Sequence, residues 1–225
     1  MINSIFRIKV WFRVFFWTKG KKREKRLVLI LLKPALTLQK FIIQVNNLFI
    51  FLRNPSKNDF QYLSKKDKLK ETLIFLLPFE FLIDAVILWY LIEFGEYFKW
   101  YDKLVEKESI QNLSDFSLYF TACLIAPLFE EFIFRYPLKF FKVRKYFGII
   151  FYLSSFVFGM LHFLNYEYNH SHLLFAPFIV LPQIWGGLVL GYIRIKYGVW
   201  YGFLNHALFN FFCIIWDKLV GFDIF

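Results

Sequence analysis

Glu130, Glu131 and Arg135 stand in one of the most apolar stretches of this 225-residue chain, and the run before them, Phe116 to Phe129, has no charged residue. Ionised groups at membrane depth are costly, so they mark function or a paired structural role. Glu131 and Arg135 stand four apart with the acid first, the better order for a helical ion pair. Glu130 points about 100° away around a helix of 3.6 residues per turn. The arginine can then neutralise one carboxylate and leave Glu130 for chemistry. The plainer reading is a buried ion-pair network that holds helices together, and an isolated Glu-Glu-x-x-x-Arg favours it.

Two further polar placements follow on separate apolar segments: His162 after Phe158-Gly159-Met160-Leu161, and His206 with Asn210. A lone histidine on an apolar helix is more often a packed residue than a catalyst. His206 and Asn210 share one helix face, and alone they read as an interhelical hydrogen-bonding pair. The combination carries more. A carboxylate and an imidazole can hold a water between them and take its proton as general base. A second imidazole and a carboxamide can donate to a developing oxyanion. No Ser or Cys nucleophile with an adjacent base is evident, so direct water attack on an amide is the natural chemistry. His170 and His172 lie in a loop and take no role. Cys123 and Cys213 sit in apolar runs without metal spacing and read as packing residues.

These groups must be carried by membrane helices. The chain is 58% hydrophobic and 24% aromatic, beyond an ordinary soluble domain. Apolar runs recur at the length a helix needs to cross about 30 Å of hydrocarbon. The expected fold is all-α, a polytopic transmembrane helical bundle of about five to six membrane helices plus an N-terminal basic interfacial segment. Spans are expected over Thr72–Ile92, from Phe116 onward, Tyr146–Asn165, Leu173–Ile193 and Val199–Trp216. Pro127 and Pro137 predict kinks on either side of the Glu-Glu pair, and Gly186, Gly187 and Gly191 suit close helix approach.

The net charge of +11 is unevenly placed. Residues 1–26 form a basic amphipathic segment in which Arg7, Lys9, Arg13 and the run Lys21-Lys22-Arg23 interleave with aromatic residues such as Trp11, Phe12 and Trp17. That pattern suits an interfacial helix on anionic lipid rather than nucleic acid, and it has no cleavable signal-peptide pattern. The membrane domain is expected over residues 27–225. Residues 27–52 are interrupted by Lys33-Pro34, Gln39-Lys40 and Asn46-Asn47. They read as a crossing or a broken amphipathic helix in the interface. Counting Lys and Arg in the connections puts 53–70, 139–145 and 194–197 in the cytoplasm, with the N-terminus, and puts 93–115 and 166–172 outside. That arrangement favours an interfacial or re-entrant course for 27–52.

In its three motifs the chain resembles the CPBP family, the CAAX prenyl endopeptidases together with the bacteriocin-processing and immunity-type (Abi) membrane proteins. Their pattern of Glu-Glu-x-x-x-Arg, Phe-x-x-x-His and His-x-x-x-Asn on separate helices is met in order by Glu130-Glu131-…-Arg135, Phe158-…-His162 and His206-…-Asn210. Gly187 to Tyr192 and Tyr197 to Trp200 are similar to the family's connection into the last helix. The resemblance covers roughly residues 116–216, the expected CAAX-protease-like core. It implies a membrane endopeptidase, similar to CAAX prenyl protease 2, acting on a peptide or protein substrate at the membrane. Glu130 and His162 would activate water, His206 and Asn210 would stabilise the oxyanion, and Glu131 and Arg135 would support them. Tyr136 stands where the family commonly has glycine, which would narrow the substrate entrance.

Glu130, His162 and His206 are also residue types that bind zinc, and the family has been described both as metalloprotease and as a metal-independent glutamate-type protease. Without His-Glu-x-x-His, metal-independent water activation is preferred. The alternative of a different class is a catalytically silent scaffold or bacteriocin-immunity-type protein that binds a membrane partner. The Phe- and Lys-rich composition suits a bacterial cytoplasmic membrane, where prenylated proteins are not the expected substrate.

Overall fold

The helices of this chain change their winding at several points, three of them just before prolines. In a computed structural model of the protein, residues 22–56, 63–141 and 144–220 are described. The long helices are α1 (Lys22–Arg53), α2 (Lys65–Tyr97), α3 (Asp115–Lys139), α4 (Arg144–His162), α5 (His170–Lys196) and α6 (Val199–Val220). On α2 and α3, wider π turns cover Glu71–Leu76, Leu82–Leu88, Thr121–Ile125 and Glu131–Arg135. All but Leu82–Leu88 end just before an X-Pro step. The N–H groups of Leu77, Ala126 and Tyr136 reach back five residues, to Thr72, Thr121 and Glu131, and Pro78, Pro127 and Pro137 come next. A proline ring collides with the carbonyl four residues back and donates nothing. Widening the preceding turn relieves the collision, and the expected kinks take this form on α3.

Chain contacts divide into two units, residues 1–43 and 44–225. In the first, the described part is helical from Lys22, and Leu38, Ile42 and Ile43 are exposed. The basic segment expected over 1–26 lies, up to residue 21, outside the described residues. The stretch 27–52, read from sequence as interrupted, is continuous helix through Pro34.

The second unit is an all-α polytopic bundle. Five helices, over Lys65–Tyr97, Asp115–Lys139, Tyr146–Asn165, His170–Lys196 and Val199–Leu219, are long and apolar enough to cross a membrane. They match the spans expected from sequence, Tyr146–Asn165 with the same bounds and the others somewhat longer. Two apolar clusters stack along them. One joins Leu48, Phe51, Leu76, Leu138, Phe147, Phe151, Val189, Tyr192, Ile193 and Tyr197. The other joins Trp89, Ile92, Tyr101, Phe163, Ala176, Ile179 and Val180. On α2, α4 and α5 the residues between these clusters include Glu80, Asp84, Ser155, Gly186 and Gly187, all buried. A polar layer therefore lies between two apolar ones.

The ends are tied by polar contacts. Lys196 donates to Gln44 and Tyr192 and pairs with Glu71 at 3.5 Å, and Tyr197 donates to Glu71 at 2.7 Å. Gly198 takes φ +116°, a left-handed conformation suited to glycine, where α5 turns into α6. At the other end a two-residue antiparallel ladder pairs Val105 with Glu167 and Glu106 with Tyr166. Beside it, His172 joins Asn169 in a capping box and donates through Nε2 to the Asp102 carbonyl at 2.9 Å. His172 thus closes a loop, a structural role that the sequence did not suggest.

Candidate active site

Three helices bring the predicted residues together. α3 carries Glu130 on the last residue before its second π turn, and Glu131 and Arg135 within that turn. α4 ends at His162 and α6 carries His206. Glu130 Oε1 lies 4.0 Å from His162 Nε2, and Glu130 Oε2 lies 3.5 Å from His206 Nε2. His206 Nδ1 lies 3.5 Å from Glu131 Oε1. His206 thus stands between the two carboxylates, within ion-pair distance of each.

The tautomer of neutral His162 follows from its other contact. Its Nδ1 sits 2.9 Å from the Phe158 carbonyl oxygen, which can only accept, so Nδ1 carries the hydrogen. The lone pair on Nε2 is left facing Glu130. Two acceptors 4.0 Å apart cannot bond to each other, but both can accept from one small donor such as water.

Exposure separates the two glutamates. The Glu130 and His162 side chains are each 24% accessible, whereas Glu131 and Arg135 are buried to within 1%. Arg135 Nε lies 3.8 Å from Glu131 Oε1, as the i, i+4 spacing predicted. That distance is an ion pair rather than a hydrogen bond. The guanidinium is held by packing: its central carbon lies 3.7 Å from the centroid of the Phe158 ring, a close cation–π arrangement. The same ring meets His162 at 4.6 Å and His206 at 5.9 Å. Gly187 and Gly202 make room. A Cβ on Gly187 would stand 3.2 Å from an Arg135 nitrogen, and one on Gly202 2.7 Å from Glu131 Oε2.

Asn210 is placed differently. Its amide donates to the backbone carbonyl of Ala122 at 2.7 Å, more than two helical turns from Glu130. The structure therefore gathers Glu130, Glu131, Arg135, His162 and His206, and turns the Asn210 donor toward another part of α3. Tyr136 lies on Phe132 with ring centroids 5.5 Å apart and carries Lys139 Nζ 3.5 Å above its face. As metal donors the candidates do not converge: among the described residues no group of three His, Cys, Asp or Glu side chains could hold an ion. The trio does not fit a zinc centre as placed.

Sequence reasoning missed a second acidic group behind the site. Glu80 and Asp84 on α2 are buried, and Asn205, beside His206 on α6, donates to Glu80. A Cβ on Gly186 would lie 3.5 Å from Asp84 Oδ2 and 3.8 Å from Glu80 Oε1. The signal was available: two acids four apart inside an apolar span meet the criterion that singled out Glu130.

Fold and site define an integral membrane protein with a carboxylate–imidazole centre buried among apolar helices. Residues 112–212, which include every member of that centre, match the family model described as Type II CAAX prenyl endopeptidase Rce1-like. The match bears out the CPBP resemblance and supports a membrane protease of the CAAX-protease type. No curated protein and no solved structure matches the chain.

Proposed function

We propose that the protein is an intramembrane endopeptidase that hydrolyses a peptide bond with water activated between Glu130 and His162. The observation that carries this is the facing of Glu130 and the His162 Nε2 lone pair at 4.0 Å, both partly accessible, among otherwise buried charges. A water accepted there gives one proton to Glu130 as its oxygen attacks the carbonyl carbon. Negative charge then develops on the former carbonyl oxygen, and His206, whose Nε2 stands 3.5 Å from Glu130, donates to it. Collapse of the tetrahedral intermediate breaks the C–N bond, and the proton held by Glu130 passes to the departing amine. Arg135 and Glu131 fix the charge around His206 and do not exchange protons with substrate. The substrate is a peptide or protein segment at the membrane, and anionic lipid contacts the basic N-terminus.

The test is Glu130→Ala and His162→Ala in purified protein against a library of membrane peptides. Each substitution is expected to lower hydrolysis by about 10²–10⁴-fold, the range for removing a general base. Hydrolysis that survives both would sink the mechanism. A cellular phenotype that persists in both variants, with no peptide cut by the wild type, would instead establish the scaffold. Full activity after exhaustive chelation is expected, and one zinc per chain lost together with activity would overturn the metal-independent step.

A further inference from the structure

Asn210 occupies a motif position and yet spends its amide on a backbone carbonyl far from Glu130. The reason lies in the first π turn of α3. There Ala126 N–H reaches back to Thr121. The next bond in that register would run from residue 127 to the Ala122 carbonyl, and residue 127 is proline. Ala122 thus has a carbonyl that its own helix does not serve. Within hydrocarbon no solvent can serve it either, so a donor from a neighbouring helix is needed. Asn210 Nδ2 provides it at 2.7 Å. The bond joins α6 to α3 between His206, one turn before Asn210, and Glu130, eight residues and about 12 Å after Ala122 at 1.5 Å per residue.

We propose that Asn210 is a positioning residue: it supplies the hydrogen bond that Pro127 cannot, and so fixes the register of α3 on α6 that sets Glu130 against His206. This rests on Glu130 being the working carboxylate. Asn210 touches neither Glu130 nor the imidazoles in any hydrogen bond of the structure, and its effect passes through the backbone of α3.

Pro127 makes the test specific. Restoring an N–H at residue 127 lets α3 serve Ala122 itself. Asn210→Ala, Pro127→Ala and the double variant are compared in purified protein by thermal unfolding and by hydrolysis of a peptide cut in a Glu130-dependent manner. Asn210→Ala alone is expected to lower both the unfolding midpoint and, by about tenfold or more, the rate, as removal of the donor leaves the Ala122 carbonyl unserved. In the Pro127→Ala background the same substitution is expected to cost less than about threefold, because the interaction it removed is now redundant. An equal rate loss in both backgrounds would overturn the proposal and return Asn210 to the oxyanion. Should Pro127→Ala fail to fold, infrared spectra of protein carrying ¹³C-carbonyl alanine, with the Ala122 band assigned by Ala122→Gly, decide the matter. The band is expected to move to higher frequency in Asn210→Ala, and an unchanged band refutes the bond. If hydrolysis proves independent of Glu130, the proposed mechanism falls, while the unfolding and infrared results still judge the brace.

Discussion

Glu130 and Glu131 are neighbours in sequence with opposite duties. Glu131 is fully buried beside the fully buried Arg135, and removing one member of such a pair strands the other charge. Glu131→Gln is therefore expected to cost about 3–5 kcal/mol of stability, read as a lower unfolding midpoint. Glu130→Gln should leave the midpoint near wild type and remove hydrolysis. Comparable destabilisation by both would refute the division. Phe158 joins the two, since one ring meets Arg135, His162 and His206. Phe158→Leu keeps much of the volume and removes the π face, which is worth about 2 kcal/mol to a desolvated cation. Its midpoint is expected to fall more than that of Phe134→Leu, whose ring stands 5.6 Å from the same guanidinium. The Glu131–Arg135 pair was legible because helical spacing alone brings the two together. The ring under the guanidinium was not, because it depends on how α3 crosses α4.

Helix elements carry the next level of specificity through glycine. Gly186, Gly187 and Gly191 read in sequence as close-approach residues, and their neighbours show what approaches: carboxylates and a guanidinium as well as apolar surface. Gly202→Ala would press a methyl to 2.7 Å from Glu131 Oε2, whereas Gly186→Ala meets its nearest carboxylate at an ordinary 3.5 Å. Inactive or unfolded protein is expected from the first and near-normal protein from the second, by size-exclusion profile and peptide hydrolysis. Asn205→Ala removes the donor to Glu80, and the acid left buried without it should cost about 1–3 kcal/mol. The five apolar spans were readable from length and hydropathy. The π turns were not readable as such: proline predicts a disturbance, but whether the backbone bends or widens depends on the neighbours that accept the freed groups. The capping role of His172 was hidden for a similar reason, since Asp102 reaches it from seventy residues away in sequence.

At the scale of the whole molecule, the positive-inside count expects residues 53–70, 139–145 and 194–197 on one side and 93–115 and 166–172 on the other. Single cysteines in these connections, labelled from either face of sealed vesicles, check it; mixed labelling within one group would refute the arrangement. The polar layer between two apolar clusters also bears on how the protein is made. α3 is long and apolar enough to span, yet it brings Glu130, Glu131 and Arg135 with it, and a charge near the middle of a helix costs about 2.5–3.5 kcal/mol at insertion. The partners that relieve that cost, Phe158, His162, His206 and Gly202, all follow α3 in the chain. During synthesis α3 therefore leaves the ribosome before the groups that make it tolerable in lipid. A chain stopped at residue 145 should leave α3 outside the bilayer or shuttling in and out, and a glycosylation-site reporter after it should shift to full insertion once α4 to α6 are restored. The feature that supplies the chemistry thus makes the entry of one helix wait on the arrival of three others.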